Sequence, residues 1–255
     1  MNMLGHEKIG TGPSAVIVLN DWLCDTSTWS GAQAYLDRTR FSWLLTDLRG
    51  YGRSRDQHGE FTLHEAAADV LALADALQLA QFCIVGHSMS TLIALHLAQH
   101  HAARIRRAVV LTPPPLAGFG ADEAALASIR GLALGDDEKR TKWVRMRLGE
   151  HMSEGWVRFK AERWRAAAEP QAVAAYAAMF AQQGLPDASA RITIPVLAIT
   201  GERDVPIMRR DAVTEQLAPI CDQLSVIALA DSGHYPMQEA PPLLVATIER
   251  FLGTD

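Results

Sequence analysis

The stretch FCIVGHSMSTL, residues 82–92, decides the fold and contains the first candidate functional residue. Its apolar half ends abruptly at Gly86, Ser88 follows two positions later, and a second apolar segment begins at Ser90. A strand that turns sharply into a helix lifts Ser88 clear of the backbone, beside the N–H groups and positive dipole end of that helix. Strand and helix pass close together at such a turn, so the flanking residues must be small. The best-known pattern of this kind has glycine where this chain has Ser90, and we expect the small serine to be tolerated.

Apolar runs rich in branched residues recur along the chain, with helical patterns between them. The runs are continuous rather than alternating, as expected when helices cover both faces of a sheet. Strands that alternate with helices predict an α/β fold with a mostly parallel, doubly wound sheet. The predicted strands are AVIVLN (15–20), SWLLTD (42–47), QFCIVG (81–86), RAVVLT (107–112), IPVLAIT (194–200) and LSVIALA (224–230).

One region breaks this rhythm, because residues 115–186 contain helical patterns but no strand pattern. The segments TPPP (112–115) and GLPDASARITIP (184–195) mark its edges. We interpret the region as a helical insertion that lies over the sheet. Its predicted helices span residues 122–130, 136–152, 154–168 and 171–183.

Composition excludes several classes of protein. The net charge of −5 argues against a nucleic-acid-binding protein, which usually has a basic stripe. The three cysteines are odd in number and far apart, which argues against a disulfide framework. The N-terminal residues lack the pattern of a signal peptide, and no apolar stretch is long enough to span a membrane. We therefore expect a cytoplasmic protein whose partner is a small-molecule substrate.

A serine hydroxyl needs a base before it can act as a nucleophile. His234 follows the last strand, at the carboxyl edge of the sheet where Ser88 also lies, and is the predicted base. His87 is adjacent to Ser88 in sequence but is expected to pack elsewhere. His96 and His100 have the spacing of a metal pair on a helix, but without a third ligand we expect a solvated surface and no metal.

The third member of the site orients the base and stabilises its charged form. The strand before the last one ends in GERD, which offers Glu202 and Asp204. Asp204 is the predicted partner of His234, because the turn after Gly201 directs its side chain towards the histidine. Asp231 lies only three residues from His234 and is expected to shape its loop.

With these motifs the chain resembles the α/β-hydrolase fold superfamily over essentially its whole length. The order Ser88, Asp204, His234 is the one that such hydrolases use. The segment DLRGYGRS, residues 47–54, is similar to a glycine-containing segment common in the family and is expected to be structural. The resemblance implies a core formed by residues 1–114 and 187–255, with residues 115–186 as a helical cap.

The chain departs from the family pattern at two places. The family often has His-Gly after its third strand, whereas this chain has Asn20-Asp21. By position the resemblance implies backbone N–H groups of Trp22 and Met89 as the oxyanion hole, with Trp22 and Asn20 near the substrate. We expect Asp21 to point away and to bond to loop backbone. The second departure is a short N-terminus. Fewer residues precede AVIVLN than the first two strands of the family usually need, so we expect that one edge strand can be missing.

The predicted cap is rich in aromatic and basic residues. Its aromatic side chains either pack cap helices onto the core or line an apolar pocket above Ser88. Residues 139–165 include nine basic and three acidic residues. We expect most of the basic side chains to be solvated, with a basic rim that favours anionic substrates as the alternative. Six of its aromatic residues are Trp143, Trp156, Phe159, Trp164, Tyr176 and Phe180.

The resemblance therefore implies a serine esterase that acts on small to medium acyl compounds without a cofactor. Three alternatives remain open on the same fold. One is hydrolysis of a carbon–carbon bond in a diketone or ring-cleavage product. The others are a weakly catalytic ligand sensor and a cofactor-free oxygenase. The sequence leaves the natural substrate and the oligomeric state open.

Overall fold

The computed structural model describes residues 3–133, 135 and 137–253. Its centre is a seven-stranded sheet with the order β1-β3-β2-β4-β5-β6-β7. Strand β1 is antiparallel to β3, and all the other neighbouring strands are parallel. The strands span His6–Ile9 (β1), Ser14–Leu19 (β2), Phe41–Thr46 (β3), Phe82–His87 (β4), Ile105–Leu111 (β5), Val196–Gly201 (β6) and Leu224–Leu229 (β7).

Nine α-helices connect or flank these strands in the described part of the chain. Four of them, α3 to α6, lie between β5 and β6, and α6 continues into a π-helical turn over Met179–Gln183. The helices span Leu63–Ala76 (α1), Ser90–His100 (α2), Glu123–Ala133 (α3), Asp137–Arg145 (α4), Glu154–Ala167 (α5), Pro170–Ala178 (α6), Arg210–Leu217 (α7), Pro236–Glu239 (α8) and Pro241–Leu252 (α9). The predicted α/β fold is confirmed.

Strand burial follows the predicted pattern except at one edge of the sheet. Every residue of β3, β4 and β6 is buried, as expected for strands covered on both faces. Strand β7 instead alternates between exposed and partly buried residues along most of its length. The expectation of two covered faces is therefore wrong for β7, which has only β6 as a neighbour.

The N-terminal edge contains a strand, β1, that lies outside the strands predicted from the sequence. In the described residues a single strand, β1, precedes β2. Its four residues pair with β3 in antiparallel register, from His6 opposite Thr46 to Ile9 opposite Trp43. A run this short gives little periodicity to detect.

The second helix of the 115–186 region is shorter than predicted. The pattern predicts a helix over residues 136–152, but α4 ends at Arg145 and an irregular loop follows. That loop docks on α8 and on the residues before it: the Arg147 carbonyl accepts the His234 N–H at 2.6 Å, and Gly149 N–H donates to the Glu239 carboxylate at 2.6 Å. These distant partners replace the bonds that a continued helix would have made.

Two expectations about the chain as a whole can be compared with the structure. Cys24, Cys83 and Cys221 are all buried free thiols, so the argument against a disulfide framework is confirmed. Among the described residues, every helix is too short or too polar to cross a membrane.

Candidate active site

Ser88 occupies a strained turn between β4 and α2. Its φ is +54°, in the left-handed region that residues with a side chain rarely adopt. The Ser88 N–H donates to the Leu111 carbonyl at 2.9 Å, and the Thr91 hydroxyl donates to the Ser88 carbonyl at 2.6 Å. At Gly86 any Cβ would lie 2.5 Å from the Ser90 carbonyl oxygen. Strand and helix therefore approach as closely as the sequence pattern predicts.

Ser90 is more than a small residue at this turn. It is fully buried, and its hydroxyl accepts the His87 N–H at 2.9 Å and lies 3.0 Å from the His87 carbonyl, to which it donates. The side chain thus closes the turn around Ser88 with two hydrogen bonds that a glycine could not make. Ser90 was expected only to be tolerated in place of glycine, but its hydroxyl also stabilises the turn.

The structure brings Ser88, His234 and Asp204 into one hydrogen-bonded chain. His234 Nε2 lies 2.9 Å from Ser88 Oγ, and Nδ1 lies 2.6 Å from Asp204 Oδ2. A buried carboxylate can only accept, so Nδ1 carries the proton and Nε2 accepts from the serine hydroxyl. His234 and Asp204 are buried, whereas Ser88 is partly exposed. This arrangement allows proton removal from Ser88; the catalytic roles themselves stay predictions.

The alternative acids lie elsewhere. Glu202 Oε1 is 3.5 Å from the Thr200 hydroxyl at the end of β6, and the structure gives it no bond to His234. Asp231 is exposed. The second oxygen of Asp204 accepts the Val205 N–H at 2.7 Å, which fixes the carboxylate from behind.

The backbone of the His234 loop is held on several sides. Glu239 accepts hydrogen bonds from the N–H groups of Gly149, Gly233 and Tyr235 at 2.6, 2.8 and 2.9 Å. Burial raises the pKa of Glu239, and these three bonds oppose that shift. The loop that carries His234 is therefore tied both to α8 and to the segment after α4.

His87 supports this loop from below and is separate from the serine. It is completely buried, and its Nε2 lies 2.7 Å from the His234 carbonyl, to which it donates. Burial lowers the pKa of His87 to about 4, so the ring is neutral near neutral pH. The structure agrees with the expectation that the His87 side chain packs away from Ser88. It also shows that the imidazole ring holds the loop of His234 in place through this hydrogen bond.

The two residues predicted to form the oxyanion hole lie in different turns, Trp22 in the loop after β2 and Met89 between β4 and α2. In the described part of the chain, no hydrogen bond occupies the backbone N–H of Trp22 or of Met89. Both residues are nearly fully buried. Two buried donors without an internal partner fit the predicted oxyanion hole.

Asn20 builds the framework of that loop. Its amide donates to the carbonyls of Asp21 and Cys24 at 2.7 and 3.0 Å, and its oxygen accepts the Leu48 N–H at 2.8 Å. Both amide protons are therefore used within the loop. These bonds give no support to the expectation that Asn20 contacts the substrate.

Asp21 is bonded as predicted on one side and has an unpredicted partner on the other. Oδ1 accepts the Leu23 N–H at 3.1 Å, which is the expected bond to loop backbone. Oδ2 lies 3.4 Å from the ammonium of Lys160 in α5 and 3.7 Å from His87 Nδ1. Lys160 is 1% exposed, so the expectation that basic residues of this region are solvated is wrong for it.

Five of the nine basic residues between 139 and 165 are exposed, in agreement with the expectation that most of them are solvated. Arg147 is buried and stacks on the Trp143 ring, with the guanidinium carbon 3.8 Å from the ring centroid. Two of the exposed residues, Arg145 and Arg165, are paired with carboxylates, which reduces the positive charge available for a basic rim. Ion pairs engage Arg140, Arg145, Lys160, Arg163 and Arg165.

Trp22 joins the oxyanion loop to the helices of the 115–186 region. Its indole N–H donates to the Val173 carbonyl of α6 at 2.7 Å, and its ring makes edge-to-face contacts with Trp143, Trp164 and Phe180 at 5.0–5.9 Å. Those three aromatics therefore pack against the loop that carries Trp22. The predicted contact of Trp22 with substrate stays a prediction.

The remaining aromatics of this region have different surroundings. The Trp156 ring contacts that of Tyr235 at 5.4 Å, next to His234. Tyr176 packs against Tyr51 and Phe61, and Phe159 is half exposed. The six aromatics thus divide between packing and surface positions, with Trp156 near the base.

Two other expectations concern residues outside the triad. His96 is buried and its ring lies 4.6 Å from that of His100, so a solvated surface is wrong for His96. No group of three metal-binding side chains is assembled among the described residues.

In the 47–54 segment, a Cβ at Gly52 would lie 2.5 Å from the Asp47 carboxylate, which accepts the N–H groups of Thr26 and Arg53. These contacts fit the predicted structural role of the segment.

Comparison with known proteins agrees with the fold. A family model described as alpha/beta hydrolase fold matches residues 16–241. The chain is 26% identical to a pimeloyl-[acyl-carrier protein] methyl ester esterase of Vibrio vulnificus over 96% of both chains. It is 33% identical to a 2-heptyl-3-hydroxy-4(1H)-quinolone dioxygenase of Mycobacteroides abscessus over 44% of this chain and 41% of that one. Its fold matches the enol-lactonase from Burkholderia xenovorans LB400 with a TM-score of 0.83 at 24% identity, covering 98% of this chain and 96% of that chain.

Proposed function

The chain belongs to the α/β-hydrolase fold family, and we propose that within it the protein is a serine hydrolase of carboxylic esters or related acyl compounds. The hydrogen-bonded chain from Ser88 through His234 to Asp204 is the observation that carries this proposal. Similarity to an esterase over almost the whole chain supports an ester as the bond that is cleaved.

The proposed cycle uses only protein groups and water. Ser88 Oγ attacks the carbonyl carbon while its proton passes to His234 Nε2, and Asp204 stabilises the imidazolium. The N–H groups of Trp22 and Met89 bind the resulting oxyanion. The intermediate collapses, the carbon–oxygen bond to the leaving group breaks, and His234 returns the proton to the departing alcohol. Water then attacks the acyl-enzyme with His234 as base, releasing the acid and restoring Ser88.

We also propose that residues 115–186 act as a cap over a core formed by residues 1–114 and 187–255. The contacts of Trp143, Trp164 and Phe180 with Trp22 support this division of the chain. In such an arrangement the cap determines which acyl groups reach Ser88. The substrate is a small to medium-sized molecule.

The direct test is the mass of the intact protein after brief exposure to a fluorophosphonate. We expect one stoichiometric adduct in the wild-type protein and none in Ser88→Ala. A panel of p-nitrophenyl esters of increasing chain length then tests turnover. A folded wild-type protein that forms no adduct contradicts the serine-hydrolase function and favours a ligand sensor. Adduct formation without ester turnover directs attention to vinylogous diketone acids and carbon–carbon bond cleavage.

A second candidate is a cofactor-free oxygenase. The observation in its favour is the similarity to a quinolone dioxygenase across almost half of the chain. An oxygenase would consume O₂ with a 3-hydroxy-4-quinolone, and its activity would survive Ser88→Ala better than His234→Ala. A hydrolase would lose ester turnover in both variants and consume no O₂. Oxygen-electrode measurements on the same three proteins separate the two candidates.

A further inference from the structure

We propose that Lys160 of helix α5 is a positioning residue of the active site, whose ammonium neutralises Asp21 and keeps the Asp21–Trp22 turn competent to bind an oxyanion. The proposal rests on the serine-hydrolase function proposed above. It assigns a role in the chemistry to a residue 139 positions away in sequence from its carboxylate partner.

The ammonium of Lys160 lies in a closed environment. Nζ is 3.4 Å from Asp21 Oδ2 and 3.2 Å from the Thr28 hydroxyl, and it lies 4.6 Å from the centre of the Tyr235 ring. Lys160 and Asp21 are each 1% exposed. Lysine is almost never fully buried unless it is paired, because removing the ammonium from water is costly. The buried ion pair therefore places the positive charge of Lys160 beside the loop that follows β2 and contains Asp21.

Asp21 is the reason why that charge matters. It directly precedes Trp22, one of the two proposed oxyanion donors. A carboxylate without a counter-charge at this place would repel the negative charge that develops on the substrate oxygen. The positive charge of Lys160 cancels this repulsion while Oδ1 remains free to accept the Leu23 N–H that shapes the turn.

The other groups around Asp21 cannot take over this role. His87 Nδ1 lies 3.7 Å from Oδ2, but burial lowers the pKa of His87 to about 4 and the ring is neutral. Burial raises the pKa of Tyr51 and of Tyr235 well above the ordinary value, so both phenols stay neutral, and a phenol in any case cannot supply a positive charge. The positive charge next to Asp21 therefore comes from Lys160.

Helix α5 contains a matched pair that serves as a control. Arg163, one turn after Lys160, donates to Asp25 at 2.8 Å and to the Ser27 hydroxyl at 3.1 Å. This second pair joins the same helix to the same loop, but Arg163 is about one-third exposed. Solvent screens an exposed pair, and Asp25 is farther along the chain from Trp22. Loss of Arg163 therefore measures the mechanical effect of detaching α5 from the loop.

The test is a cycle of four proteins: wild type, Lys160→Met, Asp21→Asn and the double variant. The second-order rate constant of Ser88 modification by a fluorophosphonate is measured by intact mass, and thermal unfolding reports folding. Lys160→Met is expected to slow modification by about 10- to 100-fold, because it leaves Asp21 unpaired beside the oxyanion. The double variant is expected to return to within about threefold of Asp21→Asn, since no unpaired carboxylate remains. Arg163→Met is expected to cost less than about threefold.

Each outcome has a definite meaning. Rescue of the rate in the double variant supports the proposal, because a purely structural lysine would not be restored by Asp21→Asn. A folded Lys160→Met protein modified as fast as wild type overturns it. If Lys160→Met does not fold, a folded double variant more than tenfold slower than Asp21→Asn overturns it as well. Wild-type protein that is not modified at all contradicts the serine-hydrolase function instead, which separates the two failures.

Discussion

Replacement of Ser90 tests whether its hydroxyl is a structural requirement of the turn around Ser88. The common pattern would suggest that glycine at this position is harmless or beneficial. In this protein the Ser90 hydroxyl accepts the His87 N–H at 2.9 Å and donates to the His87 carbonyl at 3.0 Å, in a fully buried site. Both Ser90→Ala and Ser90→Gly remove these two bonds while leaving enough space.

The expected cost follows from those bonds. A hydrogen bond contributes about 1 kcal/mol net, and a buried backbone group left without a partner costs about 1–3 kcal/mol. We expect Ser90→Ala to lower the free energy of unfolding by about 2–3 kcal/mol. Ser90→Gly should lose roughly 0.5–1 kcal/mol more, because glycine has greater backbone freedom in the unfolded chain. At about 2–4 °C per kcal/mol for a chain of this size, the melting temperature should fall by roughly 5–10 °C.

The assay combines thermal or urea unfolding with the rate of fluorophosphonate modification of the folded protein. The rate should fall too, because the turn holds Ser88 at a φ of +54°. Thr247→Ala is the matched control, since its buried hydroxyl in α9 donates only to the Leu243 carbonyl. Its expected cost is below about 1 kcal/mol. Ser90→Gly with wild-type stability and rate would refute the reasoning.

Three further predictions concern the acid, the histidine loop and pH. Asp204→Asn should reduce ester turnover by up to about 10⁴-fold, whereas Glu202→Gln should leave it unchanged; the reverse would move the acid to Glu202. Gly233→Ala should destabilise the protein by about 1–3 kcal/mol in urea unfolding, because the new Cβ would lie 2.3 Å from the Arg147 carbonyl oxygen. The pKa of His87 is about 4 against 6.5 for an ordinary histidine, so its contribution to stability is present above pH 6.5 and is lost as the pH falls. The loss should reach about 3 kcal/mol near pH 4, and His87→Gln should remove that part of the pH dependence.

The features that could be predicted from the sequence are local ones. The continuous apolar runs identify six of the seven strands, with ends displaced by at most two residues. The polar residues directly after β4, β6 and β7 include Ser88, Asp204 and His234, since parallel strands place their carboxyl ends at one edge. The fold class and the proximity of these three side chains therefore follow from short windows of sequence.

The features that were missed depend on contacts between distant residues. Helix α4 ends at Arg145 because the loop after it bonds to residues near His234, and nothing within the 136–152 pattern indicates that stop. Lys160 looks like one more cation on an amphipathic helix, although its partner Asp21 lies in the loop after β2. Two features of the sequence could have indicated this pair. Lys160 lies near the apolar face of α5, and Asp21 stands where the family often has glycine.

The attachment of α5 to the loop after β2 has a consequence for engineering. Residues 115–186 look like an interchangeable module, because they enter and leave the core between two neighbouring strands. Exchanging this module for that of another hydrolase would remove both Lys160 and Arg163 and leave two carboxylates, Asp21 and Asp25, without their cations. A functional chimera would therefore have to exchange residues 20–28 along with the module. Under the proposed function, substrate preference and transition-state binding would be inherited together.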